Sequence, residues 1–184
     1  MDLALNAVIA ALTLAVLLHF ARKKVFRTAF RYFTVQSNVL CAVSALLMCF
    51  FPDSRWVWML KYVGAAAVTV TMLTVLCFLG PAYGYKALLS GSDLVMHLIT
   101  PVLALTSFCG FERRGLAFLP ALAGLLPVIL YGALYAWKIL LAPPEKAWED
   151  FYGFNKGGKF YISIVAMLAG TFLICLGLMA LQNL

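Results

Sequence analysis

Acidic and imidazole side chains are scarce in this chain: seven Asp and Glu and two His among 184 residues. No Gly-rich phosphate loop, HExxH, acidic metal cluster or GxSxG elbow occurs, so metal, nucleotide and serine-hydrolase chemistry have no residues to stand on. No cofactor and no metal are expected. The five cysteines (Cys41, Cys49, Cys77, Cys109 and Cys175) all fall inside apolar runs and form no CxxC pair. They read as buried, reduced packing residues rather than a disulfide framework. Nothing linker-like or of low complexity interrupts the chain. The start, Met1-Asp2-Leu3-Ala4-Leu5, lacks the basic region of a signal peptide, and no small-residue cleavage site follows before Arg22-Lys23-Lys24. It reads as a retained first span.

What the chain has in abundance is apolar surface. With 65% hydrophobic residues, 11% charged residues and a mean hydropathy of +0.99, it lies outside the range of water-soluble domains. A membrane-spanning helix takes about 20 apolar residues, and six such runs occur, over Leu3 to Phe20, Phe33 to Phe51, Trp56 to Leu79, Asp93 to Phe111, Leu116 to Leu141 and Phe160 to Leu181. The expected fold is all-α, a polytopic membrane protein whose residues 1–184 form a single bundle of six transmembrane helices.

Lys and Arg are unevenly divided between the two ends of that bundle. Arg22, Lys23, Lys24, Arg27 and Arg31 follow the first span, Lys86 follows the third, and Lys138, Lys146, Lys156 and Lys159 surround the fifth loop. The opposite side counts Arg55, Lys61, Arg113 and Arg114. The positive-inside rule then puts loops one, three and five in the cytoplasm and both termini outside it. The net charge of +7 lies mainly against an anionic inner leaflet, which accounts for the basic isoelectric point without nucleic acid as a partner.

Two loops and one span carry recognisable patterns. Arg22 to Tyr32 alternates basic residues with Phe26, Phe30 and Tyr32, suiting a topology anchor or interfacial turn. The fifth loop sets Trp148, Phe151, Tyr152 and Phe154 among charges after Pro143-Pro144, suiting an aromatic segment in the headgroups or a cover over a lateral opening. In span two, Thr34, Ser37, Asn38, Cys41 and Ser44 recur at steps of three and four and share one face. That polar stripe turns inward, either to pack helices or to line a wet cavity. Thr69, Thr71 and Thr74 of span three, and Ser163, Gly170 and Gly177 of span six, suit close helix contacts.

The most informative residue is His97, in Asp93-Leu94-Val95-Met96-His97-Leu98-Ile99-Thr100-Pro101. An ionisable group at membrane depth is expensive, so it needs a partner and usually a task. Ser90 or Ser92 can cap the helix start, and Asp93 stands one turn before His97 on the same face. Pro101 cannot donate to the His97 carbonyl, so a bend and a free acceptor beside the imidazole are expected. Spans two and four both enter from the basic side, so Thr34 and His97 should lie at similar depth, with Tyr131, Tyr135 and Lys138 in the same layer. His19 is a rival base, or simply interfacial beside Arg22.

The segment Tyr32-Phe33-Thr34-Val35-Gln36-Ser37-Asn38-Val39-Leu40, followed by Asp93 to Pro101, resembles the androgen-induced-gene family of integral membrane hydrolases and its small bacterial relatives. The likeness covers most of the chain in span number and order, and is sharp in two motifs, FTxxSN and DLxxHxxxP. It implies a threonine and histidine pair, Thr34 and His97, that cleaves fatty acid esters of hydroxy fatty acids or another lipid ester. It also implies a bacterial inner-membrane location. A threonine hydroxyl needs an adjacent base, which His97 can supply. Asp93 either orients the imidazole or remains a cap, and Asn38, Ser37, Tyr131 and the backbone at the start of span two are the available donors for an oxyanion. The expected partners are a membrane lipid or fatty-acyl ester substrate and the bilayer itself, with a homo-oligomer left open. Two other classes stay open: an acyltransferase using the same pair, and a carrier or binding protein whose polar layer holds a ligand without chemistry.

Overall fold

The computed structural model describes residues 2–184. Six helices are long and apolar enough to cross a membrane: α1 (Asp2–Arg22), α2 (Phe33–Phe50), α3 (Arg55–Tyr83), α4 (Gly91–Phe111), α5 (Phe118–Leu141) and α6 (Phe160–Gln182). No strand occurs among the described residues. The all-α bundle and its six spans therefore stand, with ends within a few residues of those read from hydropathy.

α3 is the central pillar. It packs on α2, α4, α5 and α6, while α1 lies outside against α2 and α4. Small residues make this possible, because apolar lipid gives no hydrophobic drive between helices and close van der Waals approach must supply the contact. Gly64 of α3 faces the Cys41 backbone of α2 so closely that an added Cβ would stand 2.9 Å from the Cys41 Cα. Ala65, Ala66 and Ala67 follow it into the interior, all fully buried. Apolar residues with no partner helix face outward, among them Leu14, Leu130, Ile162 and Leu173, as expected where the outer solvent is lipid. The cysteines divide. Cys41 and Cys175 are buried, Cys49 and Cys109 lie between, and Cys77 is exposed, so the expected burial fails for Cys77; all five are free thiols.

Two prolines shape the basic end of the bundle by the same device. In α4 the hydrogen-bond ladder widens to i+5 over Val95–Ile99, where the Thr100 amide reaches back to the Val95 carbonyl. The next residue, Pro101, has no amide proton. The Met96 carbonyl is thus left without a backbone donor, and Asn38 Nδ2 of α2 fills the vacancy at 3.0 Å. In α3 the Gly80 amide takes the Val75 carbonyl, Pro81 has nothing to donate, and the Tyr85 hydroxyl fills the vacancy at Leu76 with a 2.8 Å bond. The filled acceptor in α4 belongs to Met96, one residue before the His97 carbonyl expected from a plain proline bend. The reason is the wider turn, which shifts the pairing by one position. No side-chain cap from Ser90 or Ser92 forms at the α4 start. The Asp93 and Leu94 amides bond to the Ser90 carbonyl instead.

The opposite end is tied by polar groups of a different kind. Lys61, counted above among loop charges, is fully buried inside the bundle. Its ammonium donates to Asn6 Oδ1 and lies 4.0 Å from the Glu112 carboxylate, and Asn6 in turn donates to Glu112. Trp58 Nε1 donates to the Glu112 carbonyl at 2.7 Å. One network thereby joins α1, α3 and the end of α4. Removing Lys61 from the loop count widens the charge asymmetry between the two ends rather than weakening it.

Candidate active site

The polar stripe of α2 divides between two environments. Ser37, Asn38, Cys41 and Ser44 are buried between helices, whereas Thr34 is half-buried and reaches a cavity. Most of the stripe therefore packs, and only its first residue meets open space. Ser44 bonds to the Cys41 carbonyl of its own helix at 2.8 Å, and Ser37 pairs with Thr71 of α3 at 2.9 Å.

Thr34 Oγ1 lies 3.2 Å from His97 Nε2. The second ring nitrogen, Nδ1, is 2.7 Å from the Leu88 carbonyl. That carbonyl ends the short helical turn Tyr85–Leu88 and has no donor ahead of it. A carbonyl oxygen only accepts, so Nδ1 carries the proton and Nε2 presents its lone pair to the Thr34 hydroxyl. His97 is 7% exposed. The imidazole is thus held in the tautomer that a general base requires, by backbone rather than by a carboxylate.

Asp93 does not take the orienting position. It stands one turn before His97 as the spacing requires, but it is exposed, and among the described residues no hydrogen bond joins its carboxylate to the ring. The physical reason for the displacement is competition: the Leu88 carbonyl already occupies Nδ1, and sequence spacing along one helix cannot reveal a carbonyl arriving from the preceding turn.

Asn38 is a strap between the two helices that carry the pair. Its Nδ2 donates to the Thr34 carbonyl at 2.8 Å and to the Met96 carbonyl at 3.0 Å, the residue before His97. Both partners are acceptors, which fixes the amide's orientation and commits both of its protons. Ser37 Oγ also donates to the Thr34 carbonyl, at 3.1 Å. Tyr131 lines the cavity, but its hydroxyl donates to the Arg31 carbonyl at 2.7 Å. All three side chains expected as oxyanion donors are therefore already engaged. What remains is backbone. At the start of α2 the Phe33 amide goes to the Tyr152 hydroxyl at 3.0 Å, and the Val35 and Gln36 amides go to the Tyr32 carbonyl. The Thr34 amide is left without an acceptor among the described residues, on the positive end of the helix.

The cavity beside Thr34 encloses about 270 Å³ and is mostly apolar. Phe33, Thr71, Val128, Tyr131 and Tyr135 wall it from α2, α3 and α5, and Tyr152 and Phe154 close it from the loop between α5 and α6. A longer groove of about 880 Å³ runs between α3 and α6 and shares Thr74, Leu79, Tyr152, Phe154 and Met167 with the cavity. Gly170 and Gly177, expected at close helix contacts, line this groove instead, and a Cβ on either would meet nothing within 4 Å. Ser163 moors the loop through a 2.9 Å bond to the Phe154 carbonyl.

The remaining candidates fall outside the site. His19 is exposed on α1, and Lys138 turns to the Lys146 carbonyl and the Trp137 and Trp148 rings. Sequence reasoning missed Leu88, which contributes only backbone, and underused Tyr152, whose aromatic loop signal was visible while its destination was not. Among the described residues no group of three His, Cys, Asp or Glu could hold a metal ion. Compared with protein-family models, with curated proteins and with solved structures, the chain matches none.

Proposed function

We propose that this protein is an intramembrane hydrolase of lipid esters, with Thr34 as nucleophile and His97 as base. The observation that carries the reading is the 3.2 Å Thr34–His97 contact with the histidine tautomer set by Leu88, at the wall of an apolar cavity. A hydroxyl whose proton can pass to a neutral imidazole is an activated nucleophile. A 3.2 Å separation lies at the outer edge of hydrogen-bond reach, as is common for catalytic pairs without substrate.

On this reading Thr34 Oγ1 attacks the ester carbonyl carbon and its proton moves to His97 Nε2. The carbon–oxygen bond to the alcohol then breaks, and His97 returns the proton to the departing oxygen. Water, deprotonated by His97, next attacks the acyl-threonine, releasing the fatty acid and restoring the hydroxyl. An acyl chain suits the groove between α3 and α6. The stretch of α6 from Ile162 to Leu181 that lines it rises about 28 Å at about 1.5 Å per residue, close to the roughly 30 Å hydrocarbon thickness. The motif likeness to the androgen-induced-gene hydrolases supports the same chemistry. With basic loops one, three and five facing the cytoplasm, the ester would lie near the inner interface, where water and lipid both reach.

The test is turnover of a panel of long-chain lipid esters by the purified protein, with Thr34→Ala and His97→Ala beside it. His97→Ala should lose about 10²-fold or more and Thr34→Ala should fall to background. Undiminished turnover by both correctly folded variants would overturn the reading. Product analysis with an added acceptor alcohol separates hydrolysis from acyl transfer.

A further inference from the structure

We propose that the Tyr152 hydroxyl, carried by the loop between α5 and α6, is a catalytic donor that works with the Thr34 amide to stabilise the oxyanion formed at Thr34. This rests on the hydrolase reading above and adds a residue to it.

The placement is specific. Tyr152 oxygen accepts the Phe33 amide at 3.0 Å, which brings it to the first turn of α2 and beside the Thr34 side chain. Having accepted there, it still has its own proton to give. Its other polar neighbour, Tyr131, sends its proton to Arg31, so the Tyr131 oxygen can only receive. Unlike Tyr131 and Thr71 on the same cavity wall, Tyr152 has no backbone carbonyl holding its proton among the described residues. Burial pushes its phenol up to about 12, so the proton is present throughout the neutral range. An ester carbonyl entering above Thr34 Oγ1 would meet two donors, the free Thr34 amide and this phenol. That pairing of one backbone and one side-chain donor is what a developing oxyanion needs.

The loop is built to hold that oxygen still. Asp150 Oδ1 accepts the Tyr135 hydroxyl at 2.7 Å and the Phe154 amide at 2.9 Å, while Oδ2 accepts the Asn155 amide at 2.7 Å. The Tyr152 amide returns a 3.1 Å bond to the Tyr135 hydroxyl. Gly153, at φ +69°, makes the turn that lets Phe154 fold back toward Asp150. The Tyr152 ring is gripped by Phe151, Tyr135 and Phe154, with centroids 4.7, 5.4 and 5.7 Å away. A carboxylate satisfied by three donors, set in an aromatic cluster, is a mooring for a phenol rather than a loose headgroup anchor.

The experiment uses the full-length protein in detergent, a p-nitrophenyl ester of a long-chain fatty acid as substrate, and a long-chain trifluoromethyl ketone as inhibitor. The ketone adds the nucleophile and so reproduces the oxyanion, while the matching alkyl ether occupies the cavity without reacting. Tyr152→Phe keeps the ring and removes the donor. Expected are a kcat lowered about 10²-fold, a KM within about threefold, ketone affinity weakened in parallel with kcat, and ether affinity unchanged. A merely structural role would weaken the ether and ketone alike. Asp150→Asn, which leaves the phenol present but loosens its mooring, should lower kcat by less than Tyr152→Phe, and serves if the phenylalanine variant fails to fold. A Tyr152→Phe protein with wild-type kcat and wild-type ketone affinity would overturn the proposal while leaving the Thr34–His97 reading intact. A wild-type protein that neither turns over the ester nor forms the ketone adduct at Thr34 would overturn both.

Discussion

Asn38 offers a perturbation in which stability and activity should part company. Its amide donates to the Thr34 and Met96 carbonyls, while its own oxygen is buried with no partner. Asn38→Leu keeps approximate size and removes all three features at once. The Thr34 carbonyl retains the Ser37 hydroxyl, so losing that bond costs about 1 kcal/mol. The Met96 carbonyl loses its donor in a helix whose wide turn and proline supply no other, a cost of roughly 1–3 kcal/mol. Against this, the unpartnered oxygen disappears, returning roughly 1–3 kcal/mol. The terms largely offset, so the folded state should change by no more than about 3 kcal/mol, or a Tm shift within about 12 °C at about 2–4 °C per kcal/mol for this chain length. Activity should not be spared. Without the strap, α2 and α4 lose the tie that sets Thr34 against His97, and a displacement of about 1 Å can cost about 10²-fold in rate. Asn38→Asp should do worse on stability than Leu, because a carboxylate would face two carbonyl oxygens. Thermal unfolding by intrinsic fluorescence, beside ester turnover per folded molecule, measures both. A leucine variant with unchanged kcat, or an aspartate variant as stable as wild type, would refute the reasoning.

At the opposite end, Lys61→Met should destabilise by about 3–5 kcal/mol by leaving Glu112 buried and uncompensated, while the Lys61→Met, Glu112→Gln double variant recovers much of the loss; a double-mutant cycle on Tm reads the coupling. Gly64→Ala should lower stability by about 1–3 kcal/mol, since its new Cβ meets the Cys41 backbone, which cannot turn aside as a side chain could; an unchanged Tm would mean that α2 and α3 part without penalty. The Tyr152 phenol, raised from near 10 to about 12 by burial, binds its proton more tightly in the folded state. Its contribution is therefore complete below about pH 10 and falls away by roughly 2–3 kcal/mol as pH rises through about 12. Tyr152→Phe should lack that component, so the Tm difference between variant and wild type should shrink between pH 9 and 12.

The spans were legible because the bilayer imposes one length and one chemistry on every crossing helix, and a run such as Phe160 to Leu181 satisfies both without reference to any other residue. The Thr34–His97 juxtaposition was legible for a related reason: both residues lie within two turns of helix starts on the same side of the membrane. Other features depended on partners the chain order does not announce. Lys61 read as a loop charge because its neighbours Arg55 and Trp56 are interfacial, yet one more turn carries it to Asn6 and Glu112. Gly170 and Gly177 read as contact residues because small residues usually are, yet they line the groove between α3 and α6, and a Cβ on either would meet nothing within 4 Å.

Composition and periodicity by themselves determined six crossings, the basic end, the inward polar face of α2 and the depth of His97, since each follows from transferring side chains between water and lipid. Only the tertiary structure decided which groups answer one another. Leu88 rather than Asp93 holds the imidazole, Asn38 serves Met96, and Tyr152 comes to the α2 terminus from more than a hundred residues away. Hydrogen bonds act over about 3 Å of space, and distance along the chain carries no record of them.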